Sequence, residues 1–150
     1  MHSQSQGETI RFRIPGDPKY VSIIRRAIQS IASNLEFPDE LTQDIEMSVA
    51  EALANAVEHG SPERNGNAVM VSCRVSNDSL TIDIRDEGPG VGEESPEKES
   101  GSLEEHGRGL QMIYKLMDKV DICRTPKGSR IHMVKKTERR TSNVQHQTSK

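Results

Sequence analysis

The chain has 150 residues, 32% of them hydrophobic, and carries a formal net charge of −3. This length suits one domain with a single core, and we expect neither a signal peptide nor a span of the bilayer. The basic residues are scattered and tryptophan is absent, which argues against a basic, base-stacking surface for nucleic acid. We therefore expect a soluble, cytoplasmic protein.

The two cysteines lie far apart, each in an apolar segment typical of a strand. Neither Cys73 nor Cys123 belongs to a CxxC motif or is accompanied by the clustered histidines of a zinc site. We predict two buried, reduced thiols rather than a disulfide or a metal site.

The N-terminal part predicts a strand followed by a helix. Residues 1–8 are polar and are expected to be disordered, residues 9–14 alternate as a strand does, and a Pro-Gly-Asp-Pro turn follows. From residue 18 to about 35 the apolar side chains recur with helical spacing. Arg25 and Arg26 lie on another face of this helix, where such a pair is usually solubilising but can also anchor a protein partner.

A second helix is predicted from Pro38 to Gly60, with acidic residues in its first turn. One side is apolar, as a helix packed on a sheet requires. On the other side, polar residues recur at i, i+4 and form a stripe without Lys or Arg. This stripe is either a solvated face or a site that places a carboxylate one turn from a carboxamide. Its members are Asp44, Ser48, Glu51, Asn55 and His59.

Two strands, over residues 68–76 and 79–86, are predicted to form a hairpin that turns at Asn77 and Asp78. Asp86 falls on the same face of its strand as the apolar residues before it. A buried carboxylate without a donor costs several kcal/mol. Either the strand frays before Asp86, or this carboxylate has a polar partner.

The second half of the chain contains two glycine-rich segments. The run GPGVG at residues 88–92 either lets the backbone approach a bound group or forms a flexible turn, and the polar segment up to residue 105 predicts a mobile loop or lid. The run HGRGL at 106–110 begins an amphipathic helix whose free N–H groups could hold a phosphate.

The last two strands are predicted over residues 120–124 and 129–135. The tail, residues 137–150, is expected to be disordered. A short basic run at this end is interpreted as solvated. It consists of Lys135, Lys136, Arg139 and Arg140.

Several common site motifs are absent from the sequence: GxxxxGK[ST], GxGxxG, HExxH and GxSxG. Three segments in order resemble the GHKL ATPase superfamily instead, which includes gyrase, Hsp90, histidine kinases and MutL. Residues 51–60, EALANAVEHG, match its N box. Residues 86–90, DEGPG, match its first glycine box, and residues 107–110, GRGL, match its second.

The chain is more specifically similar to the anti-sigma factor serine kinases of the RsbW and SpoIIAB type, since EA-x-x-NA-x-x-HG, DEG-x-G and G-x-GL…MD-x-V occur in this order. The resemblance implies a two-layer α/β (α+β) sandwich of the Bergerat type, with a mixed, mostly antiparallel sheet covered on one face by helices. It covers residues 9–136, between a disordered N-terminus (1–8) and a disordered tail (137–150).

The resemblance also implies roles for individual residues. Glu51 is similar to the general base of the family, Asn55 to its magnesium ligand, and Asp86 to its adenine-binding aspartate. Ser129 stands where the family usually has a threonine that helps to bind the adenine end. The other nucleotide-binding positions implied are His59, Gly88, Gly90, His106, Gly107, Arg108, Gly109 and Leu110.

ATP and Mg²⁺ are the implied cofactors, and the implied reaction is phosphorylation of a serine on a STAS-type anti-anti-sigma partner. The family also sequesters a sigma factor, is dimeric, and carries a helix-one arginine, here Arg25, at the sigma interface. No direct contact with nucleic acid or a membrane is implied. The acidic segment between Gly92 and His106 departs most from the family, because it lacks a threonine-rich lid.

Two other functions remain open at this point. The chain could be a binding module that sequesters a regulatory partner in a nucleotide-dependent way without transferring phosphate. It could also be the ATPase module of a histidine kinase, although no dimerisation helix with a phosphoacceptor histidine is recognisable in the sequence.

Overall fold

A computed structural model describes residues 7–60, 68–86, 97–98, 108–125 and 128–137, without the side chains of residues 59, 60, 97, 98 and 125. These ranges contain three α-helices and a six-stranded sheet. In chain order the elements are β1 (Glu8–Pro15), a 3-10 turn (Pro18–Tyr20), α1 (Val21–Asn34), α2 (Asp39–Gly60), β2 (Ala68–Val75), β3 (Ser79–Asp86), β4 (Glu97–Lys98), α3 (Arg108–Leu116), β5 (Lys119–Thr125) and β6 (Gly128–Lys136).

The strand order in the sheet is β1-β2-β3-β6-β5-β4, and every pairing among these strands is antiparallel. The last strand of the chain, β6, lies between β3 and β5. This insertion brings the end of β3 beside the start of β6, where Arg85 is opposite Arg130. Residues 43 positions apart in the sequence, Asp86 and Ser129, are thereby in contact.

The hydrophobic core lies between the helices and one face of the sheet, which confirms the expected two-layer sandwich. Side chains at alternate strand positions face the helices, because successive side chains of a strand point to opposite faces. The largest fully buried side chains are Ile24, Ile28, Ile45, Leu53, Leu80, Ile82, Ile84, Ile113, Met133, Val49, Val69 and Val71. The opposite face of the sheet is not covered by any of the three helices.

Local sequence signals placed most elements correctly. The structure confirms the helix over residues 39–60 and the strand over residues 79–86. In the hairpin, the Ser76 amide donates to the carbonyl oxygen of Ser79 at 3.0 Å, which leaves Asn77 and Asp78 as the two-residue loop that was predicted.

The boundaries and one strand differ from expectation. Glu8 of β1 is paired with Val75 of β2, so the sheet begins one residue inside the segment predicted to be disordered. Thr137 is also attached to the domain, since its amide donates to the Asp78 carbonyl oxygen at 2.9 Å. The two-residue strand β4 was not predicted, because it lies in an acidic segment without strand periodicity.

The prediction that Lys135 belongs to a solvated basic end is wrong. Strand alternation continues to the end of β6, so Lys135 faces the helices and is 6% exposed. Its Nζ lies 3.2 Å from Asp44 Oδ2 on α2 and donates to the Leu116 carbonyl oxygen at the end of α3. The polar stripe of α2 therefore does have a cationic partner, but the partner comes from a different element.

Candidate functional site

The carboxylate of Glu51 lies against the first turn of α3. Glu51 and Asn55 are one turn apart on α2, and both are half-buried. A β-carbon built on Gly109 would come within 3.1 Å of Glu51 Cδ and even closer to Oε2. Because glycine has no β-carbon, the carboxylate can approach the α3 backbone directly. The structure thus brings the N box and the second glycine box together.

Asp86 is buried at the end of β3, with 6% of its surface exposed. The Ser129 amide donates to its Oδ1 at 3.3 Å, and the Ser129 hydroxyl donates to its Oδ2. The strand therefore does not fray before Asp86, and Ser129 is a polar partner of the kind that its burial requires. A carboxylate has acceptor capacity for about four hydrogen bonds.

Gly128, which with Ser129 stands where the family usually has Gly-Thr, lies at the site although the sequence analysis assigned it no role. Its φ of 135° is in the region that favours glycine, and a β-carbon there would come within 2.9 Å of Asp86 Oδ1 and against the Asp86 carbonyl oxygen. The signal available in the sequence was the Pro-Lys-Gly turn that precedes Ser129.

The polar stripe of α2 is not a solvated face. Asp44 is paired with Lys135, Ser48 is 0% exposed, and Glu51 and Asn55 are half-buried. The Ser48 hydroxyl has no hydrogen-bond partner within the described part of the chain. The stripe thus runs from a partly buried ion pair to the partly open site at Glu51.

Two other predicted site residues lie in the first turn of α3. The Leu110 side chain is 7% exposed and packs in the core, so the group that Leu110 offers to a phosphate is its backbone amide, whereas the Arg108 side chain is exposed. The positions that lie outside the described residues or side chains are His59, Gly88, Gly90, His106 and Gly107.

Arg25, the predicted partner-binding residue, is half-buried on α1. Its Nε lies 3.6 Å from Glu46 Oε1 on α2, so the guanidinium connects the two helices and keeps 39% of its side-chain surface exposed. Large apolar side chains are exposed on the same helices: Ile23 is 57% and Met47 is 48% exposed.

The residues at the site fit a magnesium–nucleotide complex. No group of three or more His, Cys, Asp or Glu side chains suited to a metal ion occurs among the described residues. Magnesium in phosphate-transfer sites keeps several waters and substrate oxygens and needs only one or two protein ligands. The carboxamide of Asn55 can supply one such ligand.

The two thiols are free. Cys73 is buried on the helix-facing side of β2, and burial raises the pKa of its thiol to about 12. Cys123 is half-buried rather than buried, because it belongs to the face of β5 that the helices leave open. Among the described helices, none has an apolar stretch sufficient to cross a bilayer.

Comparison with known proteins places the chain in a family. The family model of the histidine kinase-like ATPase domain matches residues 14–135. The serine-protein kinase RsbW of Bacillus licheniformis is 34% identical over 122 residues, which cover 75% of this chain and 76% of that protein. The serine-protein kinase RsbW of Staphylococcus aureus is 30% identical over 142 residues, covering 88% and 89%.

Two solved structures share the fold. One contains the RsbU and RsbW domains of a Mycobacterium tuberculosis protein, with a TM-score of 0.65 and 15% identity over 85% of this chain and 32% of that one. The other is the histidine kinase domain of a blue-light activated kinase from Erythrobacter litoralis, with a TM-score of 0.55 and 21% identity over 81% and 60%. The chain belongs to the histidine kinase-like ATPase domain family, in the group of the serine-protein kinases RsbW.

Proposed function

We propose that this chain is an ATP-dependent protein-serine kinase that also acts as an anti-sigma factor. The observation that carries the proposal is the position of the Glu51 carboxylate against the first turn of α3, at Gly109. A carboxylate at this place can act on a hydroxyl group that approaches a phosphate bound at the helix N-terminus. The names of the relatives, serine-protein kinase RsbW, agree with this chemistry.

In the proposed complex, Asp86 recognises the adenine. Ser129 fixes the orientation of the Asp86 carboxylate through two hydrogen bonds, and the 6-amino group of adenine donates to this carboxylate. Since Asp86 is buried, a bound base would exclude water from this hydrogen bond and strengthen it. This end of the site therefore selects the nucleotide.

At the other end, the first turn of α3 holds the phosphates with backbone N–H groups. Glu51 accepts the proton of the attacking serine hydroxyl as the new bond to the γ-phosphorus forms and the bond to the bridging oxygen of ADP breaks. Bound Mg²⁺ neutralises phosphate charge, and Asn55 is the protein ligand that we assign to it.

The proposed phosphoacceptor is a serine of a STAS-type anti-anti-sigma protein, and the proposed sequestered partner is a sigma factor. We place the partner surface on α1 and α2, where Arg25 lies 3.6 Å from Glu46 and where the side chains of Ile23 and Met47 are exposed. Exposed apolar side chains and arginines are both enriched at protein interfaces. We further propose a homodimer that works in the cytoplasm, where sigma factors act.

The test combines purified full-length protein, γ-labelled ATP, Mg²⁺ and STAS proteins from its genomic neighbourhood. Glu51→Gln keeps the shape of the side chain but removes the proton acceptor, and should lower phosphate transfer by about 100-fold or more while ATP still binds. Glu58→Gln is the matched control, because Glu58 is exposed on the same helix. Equal transfer by the Glu51 variant would eliminate the proposed base.

The same experiment separates the alternatives. ATP binding and capture of a partner without any labelled partner would favour a nucleotide-dependent binding module. Acid-labile label on this chain itself would favour a histidine kinase module.

A further inference from the structure

Arginines that are scattered in the sequence converge on the face of the sheet that the helices leave open. Alternate positions of each strand point away from the helices, and the strand register aligns these positions into rows. Arg11 is opposite Ser72, which is opposite Asp83. The arginines on this open face come from four different strands: Arg11, Arg13, Arg74, Arg85 and Arg130.

The arginines differ in how their charge is compensated. Arg130 Nε lies 2.6 Å from Asp83 Oδ1. By contrast, Arg11, Arg74 and Arg85 are exposed, and no ion pair involving them occurs among the described residues. We call these three residues the arginine face.

The arrangement is not one that stabilises the fold. Arg85 is directly opposite Arg130 in the β3–β6 register, and like charges at directly opposed positions of a sheet destabilise it. In the described part of the chain, Asp83 pairs with Arg130 and His132 and not with Arg85. The exposed arginines are therefore better explained by a binding partner than by stability of the isolated domain.

Two acidic residues of the open face lie opposite the basic side chains of β6. His132 on β6 is paired with Asp83 on β3 and, on its other side, with Asp121 on β5. Its Nδ1 lies 3.2 Å from Asp83 Oδ2. These acids balance the basic side chains of β6. Asp83 belongs to β3, but its carboxylate is engaged with β6. Among the described residues, the arginines of the open face without an ion pair lie on β1, β2 and β3, a strip about 10–15 Å wide at the usual strand spacing.

We propose that the arginine face docks an acidic segment of a partner protein. A guanidinium pairs bidentately with a carboxylate, and the width of the strip suits one acidic helix or strand. The facing positions of β1–β3 carry no aromatic side chain on which a base could stack, and the chain itself has a net charge of −3, which disfavours nucleic acid. A second copy of the chain would bring arginine against arginine.

This contact is on the opposite side of the sheet from α1, α2 and the nucleotide site. It therefore does not depend on the proposed kinase activity, and nucleotide binding can be measured separately as a check on folding. Removal of the three arginines should leave ATP affinity unchanged.

The test uses full-length wild-type protein and the triple variant Arg11→Gln, Arg74→Gln, Arg85→Gln. The matched control removes three exposed basic side chains from the helical side, in Lys19→Gln, Arg26→Gln, Lys115→Gln. The probe is a fluorescein-labelled peptide of glutamate and alanine, followed by anisotropy. A single-stranded oligonucleotide of the same charge is the second probe.

The wild-type and control proteins should bind the peptide, with affinity that falls as salt increases, and the triple variant should bind about tenfold more weakly or worse. The triple variant should be at least as stable to urea as wild type, because the Arg85–Arg130 repulsion is removed. Equal peptide binding by the triple variant would overturn the assignment. Preferential binding of the oligonucleotide, or loss of dimer in the triple variant by sedimentation, would also overturn it.

Discussion

The replacement Gly109→Ala should displace the Glu51 carboxylate without destabilising the fold. The new β-carbon would lie 3.1 Å from Glu51 Cδ and closer still to Oε2. Carbon atoms in contact lie about 3.5–4.0 Å apart, so the carboxylate would have to move by roughly 0.5–1 Å. The Glu51 side chain is flexible at its end and can make this movement without displacing the backbone.

The consequences for stability and for phosphate transfer should be opposite in sign. Alanine is favoured over glycine in a helix by about 0.5–1 kcal/mol, so the variant should unfold at the same temperature as wild type or higher. A misplacement of about 1 Å at a catalytic group can lower a rate by about 100-fold. We therefore expect transfer to the STAS partner to fall by about tenfold to 100-fold at saturating ATP.

The assay is single-turnover transfer from γ-labelled ATP, with nucleotide affinity and thermal unfolding measured on the same samples. In the double variant Gly109→Ala, Glu51→Gln the loss should not exceed that of Glu51→Gln alone, because both changes act through one carboxylate. Full transfer by Gly109→Ala would refute the contact as a determinant of the base. A loss explained entirely by weaker ATP binding would instead assign Gly109 to the phosphates.

Three further predictions concern single side chains. Asp86→Asn should weaken ATP binding by about tenfold or more, and unchanged affinity in a calorimetric titration would remove Asp86 from the adenine site. Lys135→Met should lower the free energy of urea unfolding by about 2 kcal/mol, because it leaves Asp44 and the Leu116 carbonyl without their donor. Lys136→Met, at an exposed position, should change this free energy little. Similar losses for both variants would contradict a stabilising role for the contacts of Lys135. Burial of the Asp83 carboxyl favours a higher pKa, but hydrogen bonds from Arg130 and His132 outweigh it and lower the pKa. Because the folded pKa is the lower one, the stabilisation is present above the unfolded value of about 4 and is lost as the pH falls through the folded value. Asp83→Asn should thus reduce stability by about 1 kcal/mol at pH 7, with the difference disappearing in acid; a difference independent of pH would show that ionisation of Asp83 is not its source.

Features with a strong local signal were predictable from the sequence. The helix over residues 39–60 follows from Pro38, an acidic first turn and a long apolar stripe, and the hairpin at Asn77 follows from turn chemistry between two alternating strands. The proximity of Glu51 to the second glycine box was predictable from the family resemblance, which implies that both belong to one site.

Features that depend on the strand order were not predictable. Lys135 is adjacent to Lys136, and the sequence predicts that both belong to a solvated basic end. Because β6 lies between β3 and β5, the Lys135 side chain instead contacts α2 and α3. The apparent scatter of the arginines was misleading for the same reason. Positions as distant as Arg11 and Arg85 share a face only once β1, β2 and β3 are paired in register.

The central claim is that the N box and the two glycine boxes form a single nucleotide site. Calorimetric titration of the folded, full-length protein with ATP in the presence of Mg²⁺ tests it most directly. We predict saturable binding of one nucleotide per chain, which Asp86→Asn weakens and Glu51→Gln leaves intact. A folded wild-type sample that binds neither ATP nor ADP would contradict the account.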